Sequence, residues 1–135
     1  MNPLRSIVEA GNLEGKVLAG AGPADIPAIQ NKLSVTSKIW CAVSSWIVVD
    51  VTCLAQGFLP YPVLPLVLYA QNVVAGDDDR LQAGDTILST YATGYNHGAI
   101  FETPDRVYIL MGAGHRVSAD LQLVQAAQSH FVRSV

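Results

Sequence analysis

The sequence predicts an α+β fold: a single domain on a curved, mostly antiparallel sheet of about five strands, with one helix before it and one after. Three observations lead there. From Ile39 to Gly76 the chain carries a single charge, Asp50, in 38 positions, and Val, Ile, Trp and Thr are concentrated in the first half of that stretch. Short turn signals then separate a series of brief apolar runs. Helical spacing appears only near the two ends.

Residues 1–22 mix Leu4, Ile7 and Val8 with glycines at 11, 15, 20 and 22, which reads as a short helix or turn leading into a loop. The domain proper is expected over 23–135. Pro23 to Leu33 reads as a helix: Ile26, Ile29 and Leu33 share a face, Asp25 suits the cap, and Pro27 is tolerated in the first turn. Ile39 to Leu54 reads as strand. Trp40, Ala42, Trp46 and Val48 share one parity, while Cys41, Val43, Ile47, Val49, Val51 and Cys53 share the other. With both faces apolar, the strand must be covered on both sides or bent, and Ser44-Ser45 is the place for a bend or bulge.

Gln56 to Pro65 is a proline-punctuated loop with Phe58, Leu59, Tyr61, Val63 and Leu64 along it. Leu66 to Val74 is a second strand, and Asp77 to Asp85 a turn in which Gly84 permits positive φ. Thr86 to Ala92 and Ala99 to Glu102 read as strands around a Gly94–Gly98 loop. Thr103-Pro104-Asp105-Arg106 turns the chain into Val107 to Met111, and Gly112-Ala113-Gly114 ends that strand. Ser118 can cap a last helix, with Asp120 in its first turn and Leu121, Val124, Ala127 and Phe131 as its apolar stripe.

Composition removes several function classes. Eight Lys and Arg face eleven Asp and Glu, a net charge of -3 with no basic cluster, so direct nucleic-acid binding has no electrostatic driver. The uncharged stretch is broken by Asp50, Pro60, Pro62 and Pro65, so no membrane span is expected. The N-terminus lacks the apolar run of a signal peptide, and a cytoplasmic location is expected. Cys41 and Cys53 would lie about 40 Å apart on one straight strand, so two buried free thiols are expected. His97, His115 and His130 share no ligand spacing, and Asp77-Asp78-Asp79 lacks an EF-hand pattern. No metal and no cofactor is expected. Gly112-Ala113-Gly114 lacks the third glycine of a dinucleotide turn, with Val117 in its place.

Two functional readings remain. One is a non-enzymatic binding protein that contacts a protein partner, or a second copy of itself as a homodimer, through Tyr91, Tyr95, His97, Phe58 and Tyr61. Tyr and His at loop tips offer an apolar body and a polar end. The alternative is a thiol hydrolase with Cys41 as nucleophile, His97 as base and His115 as the orienting group. The order of Cys41, Gly84-Asp85 and His97-Gly98 is similar to NlpC/P60 cysteine hydrolases, although there the Cys opens a helix and here it enters a β-branched run. A small-ligand protein with an apolar cavity inside the curved sheet is a third reading.

A wider set of motifs supports a different resemblance. Trp40-Cys41-Ala42-Val43, Trp46-Ile47-Val48-Val49-Asp50, Val67-Leu68-Tyr69-Ala70-Gln71-Asn72-Val73-Val74, Arg80-Leu81-Gln82-Ala83-Gly84-Asp85, Phe101-Glu102-Thr103, Val107-Tyr108-Ile109-Leu110-Met111-Gly112, Gly114 and Arg116 follow one another in the chain. Together, over roughly residues 35–125, they resemble an uncharacterised family of small bacterial and prophage-associated proteins, a domain of unknown function. Thr86 and Gln71 depart from that family's pattern. The resemblance implies a phage or mobile-element accessory protein that acts by protein–protein interaction, for example on a host or defence component, and it supplies no activity.

Overall fold

The computed structural model describes residues 16–55, 57–77, 80–96 and 98–133. Its axis is β2 (Ile39–Thr52), the β-branched run expected to form the central strand. One edge of β2 pairs antiparallel with β3 (Leu66–Gly76), from Cys41↔Gly76 to Asp50↔Leu66. The other edge has two parallel partners in succession. Ile39 to Val43 lie beside β7 (Arg106–Leu110), and Ile47 to Thr52 beside β8 (Ala113–Asp120). β8 also pairs antiparallel with β1 (Lys16–Ala19), and β7 with β6 (Ile100–Glu102), which pairs with β5 (Gly94–Asn96). The two-residue β4 (Ile87–Leu88) extends the sheet beyond β3. Two helices complete the fold, α1 (Ile26–Val35) and α2 (Leu121–Arg133), so the class is α+β with a curled, mostly antiparallel sheet.

The bend in β2 explains why both its faces are apolar. Ser45 has φ 52, in the left-handed region, and a register shift between Ala42 and Val43 marks extra chain in β3. Before the bend the odd residues Cys41 and Val43 face the concave interior; after it the even residues Trp46 and Val48 do. Each half therefore buries its other face against a different helix. Ala42, Ile109 and Val107 pack outward with Ile29 and Leu33 of α1. Ile47, Val49, Val117 and Ala119 pack outward with Val124 and Ala127 of α2.

The concave interior is filled by Trp46, Phe101, Leu68 and Leu110, all fully buried. Each such side chain contributes about 1.5–3 kcal/mol relative to leaving it in water. The Trp46 indole lies against Gly114, where an added Cβ would stand 2.2 Å from the ring, and its Nε1 donates to the Met111 and Gly112 carbonyls at 3.2 and 3.3 Å. These four side chains pack the middle of the concave side.

Several expectations need correction. The described sheet has eight strands rather than about five. Lys16–Ala19, expected in a helix or loop, is strand, because its backbone pairs with β8. β7 ends at Leu110, as expected at the Gly112 signal, but Gly112 (φ 68) turns the chain into a further, unexpected strand, β8, which runs to Asp120. Ser118 consequently lies in β8, and Asp120 caps α2 by accepting from Leu123 N at 2.8 Å. The Gly94–Asn96 part of the expected loop is strand, and the expected Thr86–Ala92 strand shrinks to Ile87–Leu88. The tight turn at Thr103–Arg106 is present: Thr103 N donates to Arg106 O at 2.9 Å, and Arg106 N to Thr103 Oγ1 at 3.1 Å. Phe131 belongs to α2, but its side chain lies outside the described part, as do residues 1–15.

Candidate functional site

Cys41 faces the concave interior, in a row of residues that crosses the sheet from strand to strand. Tyr95 is paired with Phe101, Phe101 with Tyr108, and Tyr108 with Cys41. The ring centroids are 5.9 and 6.3 Å apart, in tilted and edge-to-face arrangements. Cys41 is only 1% exposed, so the thiol sits inside this row. His115 stands opposite Ile47, six residues farther along β2, which is roughly 20 Å along an extended strand. Ile47 packs outward under α2, on the other side of the sheet from Cys41. The fold thus separates Cys41 from His115, and His97 lies outside the described residues.

The tyrosines expected at one loop tip are divided between the two faces. Tyr91 packs on the outer cluster with Leu88 and Leu121, whereas Tyr95 packs on the inner one. The Tyr95 hydroxyl is buried without a hydrogen-bond partner. The Arg116 guanidinium stands 5.7 Å above the Tyr95 ring. Burial pushes the Tyr95 phenol pKa up; the Arg116 charge works against this and Asp50 adds to it. Arg116 holds Asp50 in a fork, Nε to Oδ2 and Nη2 to Oδ1, both 2.8 Å. The hydrogen bond to Asp50 raises the Arg116 pKa further. The one charge in the long uncharged stretch therefore has a cation partner 66 residues away in sequence, which joins β2 to β8 and sets the cation over β5.

A second unforeseen ionic cluster fixes α1. Lys32 of α1 and Lys38 both bind the Glu102 carboxylate, and Lys38 Nζ also donates to Thr103 O at 2.9 Å. Burial works to raise the Glu102 pKa, but the hydrogen bonds and charges of Lys32 and Lys38 outweigh it and hold the carboxyl below its usual value. Among the described residues no three His, Cys, Asp or Glu side chains converge as a metal ion would require. No helix among them is long and apolar enough to cross a membrane.

The loop between β2 and β3 is the clearest outward-facing feature. Phe58 N donates to Ala55 O, Val63 N to Pro60 O, Leu64 N to Ala92 O and Val51 N to Pro65 O, at 2.8–3.0 Å. Pro60, Pro62 and Pro65 restrict it further. The loop is thus internally bonded and tied at its base, yet Phe58, Tyr61 and Leu64 are exposed, Tyr61 at 97%.

Two of the concavities among the described residues stand out by size, neither foreseen from the sequence. A 440 Å³ groove lies between α1 and the outer sheet face, lined chiefly by Ile26, Ile29, Leu33, Trp40, Ile109 and Met111. A larger cleft of 690 Å³ runs beside Asp85–Thr90, with Arg80, Leu81, Asp105, Arg106 and Tyr108 completing it. Both are assembled from segments distant in sequence, so no local motif announces them.

Residues 24–126 match a family described as Domain of unknown function (DUF6957), a span that opens just before α1 and ends inside α2. Comparison with curated proteins and with solved structures finds no match.

Proposed function

We propose that this chain, which belongs to the DUF6957 family, is a non-enzymatic binding protein that contacts a protein partner through the Phe58–Leu64 loop. One observation carries the reading: the loop is held by backbone hydrogen bonds within itself and to its flanks, while Phe58, Tyr61 and Leu64 are exposed. A loop fixed in advance loses little conformational freedom on binding, so more of the contact energy remains as affinity. An exposed Tyr flanked by Phe and Leu is the side-chain chemistry of an interface anchor. Burial of Cys41 and its distance from His115 favour binding over the thiol-hydrolase alternative.

The test is site-specific photo-crosslinking from position 61 in the producing cell, with the exposed α2 position 122 as control. A discrete adduct from 61 that is absent from 122 supports the reading, and its mass separates a second copy of the chain from another protein. The same adduct pattern from both positions would contradict it.

A further inference from the structure

One edge of the sheet lines a cleft. Among the described residues β4 pairs with β3 and with no other strand. The register is Tyr69↔Leu88 and Ala70↔Ile87; Ser89 N donates to Leu68 O and Leu68 N to Ser89 Oγ, both at 2.8 Å, so the Ser89 N–H turns toward β3. Antiparallel alternation then turns the N–H and C=O of Leu88 away from β3, along the free edge. The six consecutive residues Asp85–Thr90 line the 690 Å³ cleft. Leu81, Ile87 and Tyr108 give it an apolar surface, while Asp85 and Thr86, and Asp105 and Arg106, give it polar walls.

We propose that this cleft binds an extended peptide segment of a partner protein, which adds as a strand to the free edge of β4. The outward-turned N–H and C=O of Leu88 can be satisfied by another extended backbone, and pockets for alternate side chains then select among sequences. The volume falls within the range of about 300–1,000 Å³ typical of ligand sites. Sheet edges open to solvent are commonly blunted by charge or by covering elements. Here the edge lies along a cleft, where a short guest strand can reach it. A bound peptide would place every second side chain on Leu81, Ile87 and Tyr108 and leave the others facing out. The inference does not rest on the Phe58–Leu64 loop.

The experiment selects binders to the full-length chain from a phage-displayed library of random peptides about 12 residues long, followed by an N-methyl scan of the enriched sequence. Strand addition predicts that methylation of alternate residues weakens binding about tenfold or more, while methylation between them is tolerated. It also predicts slower hydrogen exchange at the Leu88 amide on peptide addition. Thr90→Trp, at an exposed rim position, should reduce affinity, and Tyr61→Ala should leave it unchanged. Four results would overturn the proposal: no enriched sequence, an N-methyl scan without alternation, loss of peptide binding in Tyr61→Ala, or protection of Leu88 by raised protein concentration alone. The last would assign the edge to a second copy.

Discussion

At the scale of single residues, the tightest constraint is Gly114 beneath Trp46. A Cβ there would fall 2.2–2.5 Å from three indole atoms, and the ring is held by two carbonyl acceptors and a filled core. Gly114→Ala should destabilise by about 2–3 kcal/mol, read as a lower denaturation midpoint at unchanged slope. Glu102 makes a pH-dependent contribution. Its carboxyl is held below the usual value of about 4.3, so the folded state binds that proton more weakly than the unfolded chain. The stabilisation is complete above the ordinary carboxylate pKa and is lost as pH falls through the folded value. Glu102→Gln should therefore lower stability at neutral pH by about 1–2 kcal/mol and flatten the loss on acidification, measured as denaturation midpoints across acid pH. Asp50, the lone charge in a long apolar stretch, is partly exposed and is held in a fork by Arg116, a partner that nothing local identifies.

Among the elements, β2 is where sequence and structure correspond most closely. Two apolar parities with a serine pair between them implied a bend, and Ser45 at φ 52 provides it. A β-branched residue fits the left-handed region poorly, so Ser45→Val should cost about 1–3 kcal/mol, whereas Ser45→Gly should be close to neutral. Equal midpoints for the two variants in chemical denaturation would show that the bend does not depend on Ser45. α1 and α2 were legible because helical spacing is local. β8 was not: Gly112 and Gly114 read as the end of β7, and β7 does end there, but Gly112 also turns the chain into β8, and Gly114 inside β8 makes room for Trp46. β1 and β5 are four and three residues long and are defined by their partners, which no short stretch of sequence encodes. The candidate surfaces divide in the same way. Phe58 and Tyr61 could be named because they lie in one loop, while the two concavities depend on residues brought together by the fold.

For the whole molecule, one curled sheet has its concave side filled by large side chains and each half of its outer face covered by a different helix. This arrangement buries Cys41 and leaves Cys53 exposed. A thiol reagent at neutral pH should modify one cysteine quickly and the other at a rate set by opening of the core. Two fast thiols would contradict the packing. The same arrangement accounts for an outer surface with apolar side chains left to spare, above all in the loop that joins β2 to β3. The most direct measurement is the affinity of the partner crosslinked from position 61 for the parent chain and for Tyr61→Ala, with the stability of both recorded. The account predicts a loss of about 30-fold or more in affinity with stability unchanged within about 0.5 kcal/mol. Equal affinity for the two chains would contradict it.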